Sequence, residues 1–157
     1  MSVSSASLGV ARVDKAAIQG IVQRGGPVRA EVVPDLTHLR LQANVHYWVK
    51  DDSTVYTDEA LAYRGLDRYF PHKSVNHSRE YVSGDVHTNT LENFWSLLKR
   101  AIKGTQIHVD EGHLDRYVTE RTFAYNYRDR TDLGRMRLAL GGAPGRRLTY
   151  AQLIGHD

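Results

Sequence analysis

The sequence predicts a mixed α/β domain, one sheet flanked by helices, and three observations support this class. The chain has 157 residues and 41% apolar content, enough for one domain with a buried core. Two apolar runs, "AAIQGIVQ" and "PVRAEVVP", flank an Arg-Gly-Gly turn, a pattern typical of a β-hairpin. Beyond them, segments of strand composition alternate with segments of helical period, which is the order expected of an α/β fold.

The elements after the hairpin follow from local patterns. "LTHLRLQANVHYWVK" predicts a helix, and the residues that follow its period and should face the core are Leu36, Leu39, Ala43, Tyr47 and Val49. "STVYTD" predicts a short strand that ends at Asp58. "EALAYRGLDRYF" predicts a short helix weakened at Gly65, and "KSVNHS" predicts another strand.

Helical patterns dominate the last part of the chain. One helix is predicted from Thr90 to about Ile102 and another from about Glu111 to Arg128. "GGAPG" then predicts a loop before a short terminal helix.

Charge is distributed unevenly along the chain. The net charge is +3, yet residues 99–147 hold 11 Lys and Arg against 6 Asp and Glu. Most of these cations are arginines, whose planar guanidinium suits phosphate oxygens. A solvated basic face is the simpler interpretation, and a surface for nucleic acid is the functional one.

Several classes of protein are excluded by composition. The chain has no cysteine, so neither a disulfide framework nor a thiolate metal site can form. No apolar run is long enough to span a bilayer, and the N-terminal residues do not resemble a secretory signal, so we expect a cytoplasmic protein.

The stretch "VHTNTLENFWSLLKRAIKG" combines an apolar and a polar stripe. Leu91, Trp95, Leu98 and Ile102 recur at helical spacing and should be buried, while Glu92, Ser96, Lys99 and Lys103 repeat that spacing one residue later. Asn89 and Thr90 are candidates for the helix cap. Glu92 then has two interpretations: an acid that only stabilises the first turn, or a functional carboxylate.

A second carboxylate favours the functional interpretation. Asp58 ends a predicted strand, and a strand-end carboxylate beside one on a helix can hold Mg²⁺ or Mn²⁺, which prefer oxygen ligands. We therefore expect Asp58 and Glu92 to lie close enough to share a metal ion.

Five segments in order resemble bacterial insertion-sequence transposases of the DDE superfamily, in the ISXO-like branch. They are "VYTDEALAYRGL", "HKSVNHSREYV", "VHTNTLENFWSLLKRAIKG", "HLDRYVTERTFAYNYR" and "RRLTYAQL". The resemblance implies a ribonuclease-H-like fold and metal-dependent cutting and joining of DNA, with Asp58 as the second catalytic acid and Glu92 as the third. Lys99 matches the basic residue seven positions after the third acid, and Asn89 could add a neutral oxygen ligand.

Partners follow from the same resemblance and from the charge. We expect the chain to bind DNA, both transposon ends and target, as a homodimer and without a membrane. The candidates for contacting DNA are Lys99, Arg100, Lys103, Arg116, Arg121 and Arg128.

One expected feature of this family is not recognisable. Its first acid lies on an opening strand, and nothing before "AAIQGIVQ" resembles that strand. We therefore expect residues 1–14 to be a short tail and residues 15–157 to be a catalytic domain that lacks its first strand. This predicts a truncated or inactive transposase, or alternatively a catalytically dead DNA-binding module that keeps the fold.

The histidines allow a competing interpretation. His72, His77 and His87 could bind zinc, and His108 and His113 repeat a five-residue step. The interpretation we favour is that His72, His77 and His87 line the active-site side of the fold.

Overall fold

The computed structural model describes residues 5–13, 15–58, 63–75, 89–105 and 111–145. Five strands and four helices occur in the order β1 (Ser5–Val13), β2 (Ala16–Gln23), β3 (Val28–Val33), α1 (His38–Trp48), β4 (Thr54–Asp58), β5 (His72–Val75), α2 (Asn89–Thr105), α3 (Glu111–Asn126) and α4 (Asp132–Gly141). The predicted mixed α/β class is confirmed.

The strands form one sheet in the order β3-β2-β1-β4-β5. β1, β2 and β3 are antiparallel neighbours, whereas β4 pairs parallel with both β1 and β5. The predicted hairpin is therefore β2–β3, and Gly25 in its turn has a φ of 67°, a conformation that glycine adopts without strain. β1 lies at the centre of the sheet.

The expectation that the opening strand is missing was wrong. Ser5–Val13, assigned to a tail, forms the central strand β1. The strand is hard to recognise because its sequence, "SASLGVARV", consists largely of small residues and holds no acid. Alternation along it points Ala6 and Leu8 to one face of the sheet and Ala11 and Val13 to the other.

Each face of the sheet has its own core. α2 and α3 cover one face, where the largest buried side chains are Phe94, Trp95 and Tyr125. α1 covers the other, together with Tyr63, Leu66 and Phe70. We call these the α2 face and the α1 face.

The helix α1 forms where predicted but turns a different side to the sheet. Leu41 and Val45 are buried, whereas Leu39 and Tyr47 of the predicted stripe are 75% and 83% exposed. Both sides of this helix carry apolar residues, so its period alone cannot select one. The buried side chain of Gln19 on β2 selects the side that faces the sheet. It donates a hydrogen bond to the Leu41 carbonyl at 2.9 Å and accepts one from Asn44 at 2.8 Å.

The remaining predictions have mixed outcomes. α2 and α3 are confirmed, and so are β4 and the start of the strand predicted at residues 73–78, whose last three residues lie outside the described part. Of the helix predicted over residues 59–70, residues 59–62 lie outside the described part. The rest has 3-10 conformation at Tyr63 and at Leu66–Arg68, interrupted at Gly65, whose φ of 89° is left-handed. α4 was not predicted, and the terminal helix predicted after residue 145 lies outside the described residues.

No helix in the described part of the chain has the length and apolarity needed to cross a membrane.

Candidate functional site

The start of α2 is fixed to the sheet by an indole packed over two glycines. Gly9 on β1 and Gly20 on β2 are directly paired. A Cβ atom built on Gly20 would lie only 2.5 Å from the Trp95 ring, and one on Gly9 would lie 3.1 Å from Leu91. The absence of side chains at both glycines therefore lets α2 approach the sheet closely and sets the position of its first turns.

Contacts with α3 complete this placement. The Phe94 ring packs against Trp95 and Tyr125, with centroids 5.1 Å and 5.3 Å away. The Tyr125 hydroxyl donates to the Thr90 carbonyl at 3.4 Å, a long bond at the first turn of α2. The predicted apolar stripe of α2 is confirmed, with Phe94 as an additional member.

Glu92 lies on the exposed side of this helix. Its stripe-mates Ser96, Lys99 and Lys103 are also exposed. Seven residues span almost two turns, about 10.5 Å along the helix axis, so Lys99 lies on the same side of α2 as Glu92. At this distance the two side chains can form an ion pair only when both are extended.

The geometry of α3 shows which way this stripe faces. α3 packs on β3 and lines the flank of α2 that carries Leu97 and Ala101. Glu92, Lys99 and Lys103 occupy the other flank, which therefore faces the β4 side of the sheet.

Asp58 ends β4 beside the central strand. Val55 and Thr57 are buried on the α1 face, and Asp58 is the next position along this strand. The side chains of Asp58 and Asn89 lie outside the described residues. That Asp58 and Glu92 share a metal ion, with Asn89 as an added ligand, stays a prediction.

A small cavity of about 110 Å³ lies under the start of α2. The residues that line it are Ser5, Ser7, Val22, Gln23, Arg24, Tyr56 and Thr90. They bring hydroxyl, amide and guanidinium groups but no carboxylate. Among the described residues, no three His, Asp or Glu side chains are grouped as metal ligands would be.

Sequence reasoning missed the part of β1 in this region. Ser7 pairs with Tyr56 and Leu8 with Thr57, so Gly9 comes level with Asp58. The alternation of apolar and small residues along Ser5–Val13 is the signal that could have identified β1 as a strand.

His72 is not on the side expected of it. Its Nε2 lies 2.8 Å from the Thr57 hydroxyl, and Thr57 is buried on the α1 face, opposite the face that carries α2. Burial lowers the pKa of His72, because desolvation disfavours the imidazolium. His77, His87 and His108 lie outside the described residues.

The predicted DNA-binding cations fall into separate groups. Lys99 and Lys103 share the flank of Glu92, and Arg116 is exposed on α3. Arg100, Arg121 and Arg128 instead line a groove of about 450 Å³ between α2 and α3, on the other flank of α2. The structure thus places on separate surfaces six cations that the sequence could propose only as a single group.

Comparisons with known proteins agree with this fold. The family model described as ISXO2-like transposase domain matches residues 5–126. An uncharacterized transposase-like protein of Haemophilus influenzae is 31% identical over 96 residues, which cover 60% of this chain and 77% of the relative. The catalytic core domain of BIV integrase is similar in structure, with a TM-score of 0.61 at 12% identity over 87% of this chain and 93% of the integrase chain.

The match to the family model includes all five strands and α1, α2 and α3, and the integrase core supports the ribonuclease-H-like fold. Members of this superfamily act on DNA and generally use a divalent metal. The chain therefore belongs to the ISXO2-like transposase domains of the DDE superfamily, a family of DNA transposition.

Proposed function

We propose that this chain binds DNA through a transposase fold whose metal site is one carboxylate short, so that the isolated chain does not cleave and transfer DNA strands. The observation that carries the proposal is the composition of β1. On the α2 face, next to the end of β4, this strand offers Ser5, Ser7 and Gly9.

Two of the three expected acids have a place in this proposal. Asp58 and Glu92 would hold Mg²⁺ or Mn²⁺, which would act as a Lewis acid on a phosphodiester. The described residues do not supply a third acidic ligand, so no catalytic step is assigned to this chain. Asp35, the acid that follows β3, accepts hydrogen bonds from the backbone and hydroxyl of Thr37 at the start of α1.

DNA binding rests on the flank of α2 that carries Lys99 and Lys103. Both ammonium groups can reach phosphates of a backbone that passes Glu92. We propose transposon ends and target DNA as the ligands, a homodimer as the DNA-bound form and the cytoplasm as the location. Binding is mainly electrostatic and depends little on DNA sequence.

Fluorescence anisotropy with a labelled duplex tests DNA binding. Affinity should fall about tenfold or more between 50 and 200 mM salt, because several phosphates release counterions. Lys99→Ala should weaken binding at 50 mM salt and flatten the salt dependence. Lys50→Ala removes the same charge from an exposed position after α1 and should have little effect. If the affinity does not depend on salt, or if both variants weaken binding equally, DNA does not bind on the Lys99 flank of α2.

Restoring a carboxylate on β1 tests the incomplete metal site. Ser7 is the suitable position, because it borders the cavity, whereas a side chain on Gly9 would collide with Leu91. Ser7→Asp should bind Mn²⁺ about tenfold more tightly than wild type in calorimetry and should show metal-dependent DNA nicking. Ser7→Asn is nearly the same size without the charge and should do neither.

Glu92→Gln identifies the carboxylate that completes this site. In the Ser7→Asp background it should remove both the added Mn²⁺ affinity and the nicking, and in wild type it should change little. If wild type already cleaves DNA with Mg²⁺ and Glu92→Gln abolishes that activity, a complete site exists and the proposal of inactivity is wrong. Asp14 and Asp35 would then be the positions to mutate.

A further inference from the structure

The helix α4 has an apolar face that nothing in the described part of its own chain covers. None of its residues is buried. Leu133, Met136 and Leu140 lie on one side of the helix at spacings of three and four, and they are 53%, 52% and 60% exposed. Leu138, also exposed, points to another side. Such a face is typical of a helix that packs against a partner.

The groove between α2 and α3 is the matching surface. Its floor is apolar, formed by side chains that include Phe94, Leu97, Leu98 and Ala101. Leu97, on the flank of α2 that faces the groove, is 42% exposed. Arginines line the rim, and their aliphatic stems extend the apolar surface.

Two of the three rim arginines, Arg121 and Arg128, have partners within the chain. The Arg128 guanidinium lies 4.4 Å from the centroid of the Tyr125 ring and donates to the Tyr125 carbonyl at 2.9 Å. Arg121 pairs with Glu120 at 3.1 Å. An apolar helix is therefore a suitable occupant, although α4 itself carries Arg135 and Arg137.

α4 does not occupy the groove of its own chain, since none of its residues is among those that line it. Successive backbone bonds close the turn between α3 and α4, from Tyr127 to Phe123, from Arg128 to Tyr125 and from Arg130 to Tyr127. The Thr131 hydroxyl then caps α4 by accepting from the amide of Gly134 at 3.2 Å. None of the residues of α4 is buried against the described part of its own chain, so its apolar face is available to the groove of another molecule.

We propose that two copies of this chain exchange their α4 helices, each placing Leu133, Met136 and Leu140 into the α2–α3 groove of the other. Three half-exposed side chains offer roughly 300 Å² per helix, and two such contacts, counted on both partners, bury about 1,200 Å², the lower end for a stable specific interface. α4 lies beyond the residues that match the family, and the groove lies on the flank of α2 opposite Glu92, so the exchange leaves the DNA-binding flank free.

Cross-linking tests the exchange directly, since the chain has no cysteine of its own. Leu97→Cys and Met136→Cys are made as separate variants, mixed and treated with a short bismaleimide. A covalent dimer should form from the mixture, and each variant alone should give much less. Leu138→Cys in place of Met136→Cys is the matched control and should not cross-link with Leu97→Cys.

The double variant Leu97→Cys/Met136→Cys separates exchange from folding back. A dimer on a denaturing gel supports exchange, whereas an internally linked monomer shows that α4 covers its own groove and overturns the proposal. Absence of any product, or equal yield with the Leu138→Cys control, also overturns it.

Sedimentation velocity of the intact chain gives an independent measure. The dimer should change little between 50 and 200 mM salt, unlike DNA binding. Met136→Glu should weaken it at least tenfold, and Leu138→Glu should leave it nearly unchanged. A monomeric wild type at high micromolar concentration, or equal effects of the two variants, contradicts the exchange.

Discussion

At the scale of single residues, the approach of α2 to the sheet depends on what is absent at Gly20. The Trp95 ring fills the space where a Cβ would lie, and Phe94 packs against that ring, so the indole has little freedom to move aside. The sequence places Gly20 in a predicted strand and Trp95 in the apolar stripe of a predicted helix. Their contact could not be predicted, because it joins positions 75 residues apart.

Gly20→Ala should lower the free energy of unfolding by about 1–3 kcal/mol, because even one methyl group overpacks the contact with Trp95. Gly104→Ala is the control: a Cβ there meets nothing within 4 Å, and alanine favours a helix, so stability should stay equal or rise by about 0.5–1 kcal/mol. Urea denaturation measures both. Equal stability of wild type and Gly20→Ala would show that Trp95 can move.

His72 predicts how stability depends on pH. Because burial lowers its pKa in the folded protein, the unfolded chain takes up the proton first as pH falls below about 6.5, and stability is lost over that range. Thermal unfolding from pH 7.5 to 5.5 should therefore show a fall in Tm that His72→Gln makes smaller. His38→Gln, at an exposed position, should keep the wild-type pH dependence, and an unchanged slope in His72→Gln would contradict this role for His72.

At the scale of elements, period and composition predicted β2, β3, β4, α2 and α3 well, since each has a regular pattern of its own. They did not predict which side of α1 is buried. That choice depends on Gln19, whose side chain is fully buried and must pair with groups of α1. A local pattern cannot report a partner on another element. Asp58 and Glu92 were found as candidates because each stands at the end of a regular element, where a pattern is easiest to read.

Asn126 joins the end of α3 to β3 by two hydrogen bonds with the backbone of Val28, both 2.8 Å long. Asn126→Ala should cost about 1–3 kcal/mol of unfolding free energy, because it leaves two backbone groups of a buried residue without a partner. Thr119→Ala, exposed on the same helix, should change stability by less than about 0.5 kcal/mol. Chemical denaturation measures both variants. If Asn126→Ala leaves the free energy of unfolding nearly unchanged, water replaces the amide in its hydrogen bonds with Val28.

At the scale of the whole molecule, the largest error of sequence reasoning was the missing strand. Before the hairpin the sequence has a carboxylate only at Asp14, which is too close to the hairpin for the role of first acid, and from this we inferred that the strand was absent too. Fold and chemistry are separable here: β1 needs only small and apolar side chains that fit between β2 and β4, and it forms without an acid. The division of the arginines between two surfaces was equally out of reach, because it depends on how α2 and α3 pack.

The pairing of Asn126 with Val28 also protects the edge of the sheet from pairing with a strand of another molecule. β3 is an edge strand, and exposed backbone groups at an edge can recruit a strand from another molecule, the route to aggregation by edge pairing. The amide of Asn126 occupies the donor and the acceptor of Val28 as a neighbouring strand would, and charged Arg29 and Glu31 follow along the same edge. A second molecule therefore finds no free backbone pair at Val28.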